Sequence, residues 1–252
     1  MNKIFAAAAA AAAVSLAFAA PAQADEIQVA VAANFTAPAQ DLAPIFEKQT
    51  GHKVKLSFGS TGAFYAQIKN GAPFDILLAA DAKTPAKMEK EGSGVAGSSF
   101  TYAQGKLVFW SSDAAKVTGE KTLTEMKFEK CAVADPKLAP YGEAAYQTLE
   151  SFKLLDQYKP KFVTGNNIGK TFQYVKTANA EVGFVALSQV FKNGKFTSGS
   201  GWIVPAKYYK PIDQDAILLK HGEKSAAAQA FMKFLKSDEA NKLKLSYGYA
   251  VK

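Results

Sequence analysis

The strongest constraint on this chain is the order of its apolar stretches. Short apolar runs alternate with amphipathic runs, beginning with Ile27-Gln28-Val29-Ala30-Val31-Ala32-Ala33 and then residues 36–50. Within 36–50, Ala39, Leu42 and Phe46 share one helical face. Thr36 is placed to cap that helix, Pro38 suits its first turn and Gly51 stops it. Residues 53–58 alternate as a strand, with Val54, Leu56 and Phe58 on one side. Gly59-Ser60-Thr61-Gly62 turns into a second helix over 63–69, which Asn70-Gly71 ends. Residues 74–79 are almost entirely apolar. A strand apolar on both sides must be covered on both faces, so this βαβα order dictates a mainly parallel sheet flanked by helices. Later runs predict strands at 106–110, 131–134, 161–163, 182–186 and 216–219. Helices are predicted over 84–92, 142–155, 168–178, 225–236 and 239–245. No repeat or low-complexity tether divides the chain, so two α/β lobes would be joined by crossing strands. The expected crossings lie near 101–105 and 203–210, making 25–103 plus 211–252 one lobe and 104–210 an inserted second lobe.

Residues 1–24 lie outside that pattern and have the features of a secretory signal peptide. Lys3 is the one charge, residues 4–20 form a long apolar run, and Ala22-Gln23-Ala24 matches an A-x-A cleavage site. The mature chain would start at Asp25 in the periplasm. No later stretch approaches the ~20 apolar residues of a spanning helix. No cysteine follows the apolar run to carry a lipid. A single cysteine, Cys131, excludes an intramolecular disulfide and any Cys-rich metal site. Its strand-like setting suits core packing. The two histidines, His52 and His221, sit in turns and are expected at the solvated surface. Removing Lys3 leaves 29 basic against 22 acidic residues, a charge of +7. That balance suits an anionic partner, and equally solubility or nearness to a membrane. Aromatics are not interleaved with the lysines as a nucleic-acid groove requires, so no nucleic-acid partner is expected.

Four strand-to-helix junctions carry the chemistry: Ala33-Asn34-Phe35-Thr36, Gly59-Ser60-Thr61-Gly62, 135–142 and 165–171. Each leaves free backbone N–H groups at a helix start, where anions bind. In open α/β sheets such junctions line the ligand crevice. Two come from each lobe, so one cleft can be lined by all four. Taken singly, Asn34, Thr61 and Thr171 can equally be helix caps. The fourth junction, Gly165-Asn166-Asn167-Ile168-Gly169-Lys170-Thr171, has three residues between its glycines where a phosphate-binding P-loop has four. No nucleophile and base are paired in the sequence. Asp75, Asp81 and Asp135 at strand ends suit caps or turns. Tyr208-Tyr209, near a crossing, can ligate ferric iron as phenolates or place one ring inward and one outward.

These same stretches make the chain resemble the periplasmic molybdate-binding proteins of ABC transporters, over essentially the whole mature length. The resemblance rests on 29–35, Phe58-Gly59-Ser60-Thr61-Gly62, and Gly71-Ala72-Pro73-Phe74-Asp75 with Ala79-Ala80-Asp81. Ala134-Asp135-Pro136, Gly183-Phe184-Val185-Ala186 and Tyr247-Gly248-Tyr249 add to it. It implies a two-lobe type II periplasmic binding fold and a non-catalytic monomer without cofactor. That protein would capture molybdate or tungstate for a membrane ABC permease. It also implies that the ligand meets Asn34 with the Ala33 backbone, Thr61 with Ser60, the Tyr141 backbone N–H and the Ile168 backbone N–H. Many relatives carry serine where this chain has Asn34, and a tyrosine where it has Ala186. A subgroup using asparagine and tyrosine matches Asn34 and Tyr141.

Elementary chemistry agrees with that ligand class. A buried dianion needs a hydrogen bond to every oxygen. A shell made only of donors rejects protonated phosphate and leaves size to discriminate against sulfate. The alternatives are a sulfate-like oxyanion, ferric iron on Tyr208 and Tyr209, and an exported enzyme acting on phosphorylated substrates.

Overall fold

Strand β1 (Glu26–Ala32) is buried from Val29 onward on both faces, so its sheet needs cover on two sides. The computed structural model describes residues 24–251, and the proposed signal peptide lies outside them apart from Ala24. After β1 come a 3₁₀ turn (Ala33–Phe35), α1 (Thr36–Thr50), β2 (Lys53–Gly59), α2 (Thr61–Lys69), β3 (Ile76–Leu78), α3 (Lys83–Lys90) and β4 (Phe100–Gly105). The chain then builds β5 (Leu107–Ser111), α4 (Glu120–Glu125), β6 (Cys131–Ala134), α5 (Pro140–Ser151), α6 (Leu155–Tyr158), β7 (Phe162–Gly165) and α7 (Ile168–Lys176). It continues through β8 (Val182–Ala186), β9 (Phe191–Lys192), β10 (Lys195–Phe196) and β11 (Ser200–Ile203). It returns through β12 (Ile212–Leu218), α8 (Ala226–Phe234) and α9 (Asp238–Ser246).

Among the described residues, one five-stranded sheet runs β2-β1-β3-β12-β4 and another runs β11-β5-β8-β6-β7. Each has a parallel half, β1 with β2 and β3 in the first, β6 with β7 and β8 in the second. The antiparallel strands are those beside the crossings: β4 leads out to β5, and β11 leads back to β12. β4, expected only as part of a crossing, is a full strand paired with β12.

Alternation within each strand decides which helices it holds. Ile27, Val29 and Val31 pack with Leu42 and Phe46 of α1 and Phe231 of α8. The opposite face, Ala30, Leu77 and Ile217, packs with Phe64 of α2 and Met88 of α3. In the second sheet Phe109, Val133 and Phe184 meet α5, while Val108, Ala132 and Val185 meet Val175 of α7. Cys131 is fully buried in that core, and burial pushes its thiol far up.

Several local expectations change. Thr36 does not cap α1; it is the first helical residue and its hydroxyl donates to Ala33 O at 2.9 Å. The caps of α2 and α7 are Ser60 and Asn167, one step before the hydroxyls of Thr61 and near that of Thr171. As expected of a strand-end acid, Asp81 accepts from Thr84 N at 2.6 Å and serves as the cap near α3. His221 is not simply solvated: its Nδ1 lies 2.7 Å from Oδ1 of buried Asp75, whose Oδ2 accepts from Gln28 N at 2.7 Å.

Candidate functional site

The four junctions meet between the two sheets. Ala33, Asn34, Ser60, Thr61, Tyr141 and Ile168, the six residues predicted, all line one small cavity together with Gly59, Ala80 and Pro140. Each owes its place to a strand ending. β1 stops at Ala32 and the 3₁₀ turn carries Asn34 inward, 1% exposed. β2 ends at Gly59, Ser60 Oγ accepts from Ala63 N at 3.3 Å, and Thr61 opens α2. In α5, Pro140 has no N–H, so Tyr141 supplies that helix's first donor. Gly142 lets α5 sit against the end of β6, since a Cβ there would strike the Ala134 carbonyl. Asn167 Oδ1 caps α7 through Lys170 N at 2.8 Å, leaving Ile168 first in the helix.

First-turn N–H groups have no acceptor inside their own helix. Thir positive dipole ends therefore face the cavity from both lobes. Two hydroxyls add to them. Thr61 Oγ1 accepts from Ala80 N at 2.9 Å, and Ser60 Oγ accepts from Ala63 N. An oxygen that accepts from a backbone N–H keeps its own proton for another acceptor. No charged side chain lines the cavity. Lys170 stays out of it, exposed, with Nζ 5.0 Å from the centre of the Tyr174 ring. A larger open cleft beside the cavity is bordered by Asp81, Glu143 and Asp213 as well as Lys83 and Lys210. Burial raises the Asp81 carboxyl, though Thr84 opposes the shift. That carboxylate-bordered cleft suits an anion poorly.

Behind the cavity is a buried polar network that the sequence reading did not assemble. Asn34 Nδ2 donates to Gln214 Oε1 and to Tyr249 Oη, each at 2.9 Å. Gln214 Nε2 donates to Tyr141 Oη at 2.9 Å, and the single Tyr102 hydroxyl proton is shared between Gln214 Oε1 at 3.2 Å and Ala79 O at 3.1 Å. Ser188 Oγ donates to Asn34 O at 2.7 Å. Burial, with neighbouring phenols adding to it, holds the Tyr102 and Tyr141 hydroxyls well above the ordinary tyrosine value. They stay neutral donors. Gln214 had a legible signal: it occupies an inward position of β12 between Ile212 and Ala216, where alternation calls for an apolar residue. Ser188 had none.

The lobes touch across the cleft. Gly62 N donates to Leu138 O at 3.2 Å, Asn193 N to Ser246 O at 2.7 Å, and Lys83 pairs with Glu143 at 3.3 Å. Lys192 Nζ bridges Asp41 Oδ2 and Tyr247 Oη, both at 2.9 Å. The hydroxyls of Tyr208 and Tyr209 go to different partners. Tyr209 Oη accepts from Leu107 N at 3.1 Å, whereas Tyr208 stacks 4.5 Å from Phe152 and reaches Glu120. Neither lines the cavity. Ala186 is fully buried in β8, its N–H donating to Gln189 Oε1 at 2.9 Å, and does not line the cavity.

Known proteins agree with this architecture. A molybdate-binding protein of Azotobacter vinelandii is 54% identical over 230 residues, covering 91% of each chain. One from Rhodobacter capsulatus is 49% identical over 226 residues, covering 90% of this chain and 88% of its own. The solved structure of an Azotobacter vinelandii periplasmic molybdate-binding protein superposes with a TM-score of 0.87 at 39% identity, covering 90% of this chain and 99% of that one. The resemblance to periplasmic molybdate-binding proteins is thus borne out. The family model described as bacterial extracellular solute-binding protein matches residues 27–250, and the chain belongs to that family.

Proposed function

We propose that this protein captures molybdate or tungstate between its two lobes and presents it to a membrane ABC permease. The observation that carries this reading is the convergence of helix starts from both lobes on one small cavity without a charged lining residue. Thr61, Tyr141 and Ile168 offer backbone N–H groups; Ser60 and Thr61 offer hydroxyl protons. Hydrogen bonds to a charged acceptor are worth ~1.5–3 kcal/mol each, net of the water bonds they replace, so several of them together favour the bound dianion. The named relatives bind molybdate, which supports the choice among oxyanions.

The rest of the proposal follows from this. Residues 1–24 direct export and are removed, so the protein works in the periplasm as a monomer. Residues 25–103 with 211–252 form one lobe and 104–210 the other. Bending where β4 meets β5 and where β11 leads to β12 opens and shuts the cleft. It needs no cofactor and does no catalysis.

Isothermal titration of the ligand-stripped mature chain tests this. Molybdate and tungstate should bind one-to-one, with sulfate, phosphate and ferric citrate weak or silent. Heat from sulfate or iron with silence from molybdate would overturn it.

A further inference from the structure

Asn34 Oδ1 is the one buried side-chain polar atom among the described residues with no hydrogen-bond partner. Asn34 lines the cavity, yet its Nδ2 is turned away from it, to Gln214 and Tyr249. The carboxamide therefore offers the cavity an acceptor. An acceptor beside a dianion is repulsive, and an orphaned buried acceptor is itself costly. Gln214 explains the orientation. Its Oε1 takes the Asn34 proton while its Nε2 faces Tyr141.

We propose that Gln214 is the positioning residue for the oxyanion site, holding Asn34 reversed in the loaded protein. Both carboxamides turn over together. Gln214 Nε2 then donates to Asn34 Oδ1 and to Tyr102 Oη, and Gln214 Oε1 accepts from Tyr141 Oη. Tyr249 Oη donates to Asn34 Oδ1, Tyr102 still donates to Ala79 O, and Ser188 still donates to Asn34 O. Asn34 Nδ2 faces the anion. No polar atom of the pair is left without a partner. Two strand-borne groups and one turn residue set this switch: Tyr102 on β4, Gln214 on β12, and Asn34 in the 3₁₀ turn after β1. Tyr141 adds the second lobe. Gly105 makes room for it, because a Cβ there would overlap both Tyr141 Oη and Gln214 Nε2.

This proposal rests on the oxyanion reading above, and its test separates the two. The amide protons of Gln214 are assigned in the intact mature protein by their absence from Gln214→Met. With molybdate bound they should show nuclear Overhauser contacts to the Tyr102 ring in place of the Tyr141 ring. Gln214→Glu, whose carboxylate can only accept, should lose about 10- to 100-fold in molybdate affinity, one charge-assisted hydrogen bond. Gln214→Met, which removes the donor to Asn34 Oδ1 but offers no acceptor to hold Nδ2 away from the cavity, should lose less, about 2- to 10-fold, the worth of a neutral hydrogen bond. Contacts that remain on Tyr141 in the loaded protein, or equal losses in the Glu and Met variants, overturn the positioning role while leaving oxyanion binding intact. Silence with molybdate, tungstate and sulfate overturns both.

Discussion

Thr61 bears two duties through one oxygen. It receives the Ala80 N–H at 2.9 Å and keeps a proton for the cavity. Thr61→Val keeps the shape and removes both, so molybdate affinity should fall about 10- to 100-fold. Stability should fall by about 1–3 kcal/mol, because the Ala80 N–H is left buried without an acceptor. Thr61→Ser should restore most of both in titration and urea melts; a serine as poor as valine would mean the hydroxyl never faced the ligand. Gly105 is constrained differently, by what lies over it. Gly105→Ala should displace Tyr141 and Gln214 and weaken binding with little change in far-ultraviolet dichroism. Unchanged affinity would show that the polar network can shift without cost. These residues also mark what the sequence could convey. The junctions that hold Asn34, Ser60, Thr61, Tyr141 and Ile168 were legible because each joins a strand end to a helix start, while the choice of Tyr141 and Ile168 within them came from the family resemblance. Tyr102 and Ser188 were obscure, since they join the site only after β4 and the turn past β8 have packed, and Gln214 showed only as a polar residue at an inward position of β12, with no hint of its partners. Tyr208 and Tyr209 looked like a site because adjacency in sequence hides that their hydroxyls go to different partners.

At the scale of elements, periodicity located the strands and helices of both parallel halves but not the short α4, α6, β9, β10 and β11, and some helix starts shifted where a side-chain cap was misplaced. Thr36 and Ser60 show why: a hydroxyl next to a helix start can cap from one position and back-bond from the next. α9 carries a feature that no periodicity reveals. Lys244 is 1% exposed, and its Nζ donates to Tyr102 O at 2.7 Å and Leu235 O at 2.9 Å. It ties α9 to β4 and to the end of α8. Burial lowers the ammonium to about 8, below the unfolded value of about 10.4. Below its folded value, lysine is charged in both states and the burial penalty is fully present. Between the two values the unfolded chain holds more protons, so this group adds stability as pH rises. Urea unfolding of the wild type and Lys244→Met at pH 7.5, 8.5 and 9.5 checks the sign. The wild type should gain on the variant with each step, and parallel curves would mean that Lys244 keeps an ordinary value.

For the molecule as a whole, capture depends on how often the lobes are shut before ligand stabilises that state. One contact links the β9 end to the elements around the first sheet: Lys192 bonds Asp41 on α1 and Tyr247 after α9. Tyr247 Oη also donates to Asp41 Oδ2 at 2.7 Å, so the three groups close on one another. The Lys192 and Asp41 side chains are each 42% exposed, which limits such a pair to ~0.2–1 kcal/mol. That is still a factor of about 1.4 to 5 in the ratio of shut to open molecules. Apparent affinity scales with the shut fraction when that fraction is small. Lys192→Ala should therefore weaken molybdate binding by up to about fivefold. The change should lie in the rate of release, because ligand enters the open cleft and leaves only when the latch gives way. High salt screens an exposed pair, so the wild type in 1 M salt should approach the variant, whose own affinity should move less. A variant that slows association instead would assign Lys192 to steering the anion inward. One that changes neither rate would place closure in the buried contacts of Ser188 and Tyr249 with Asn34, which salt does not reach.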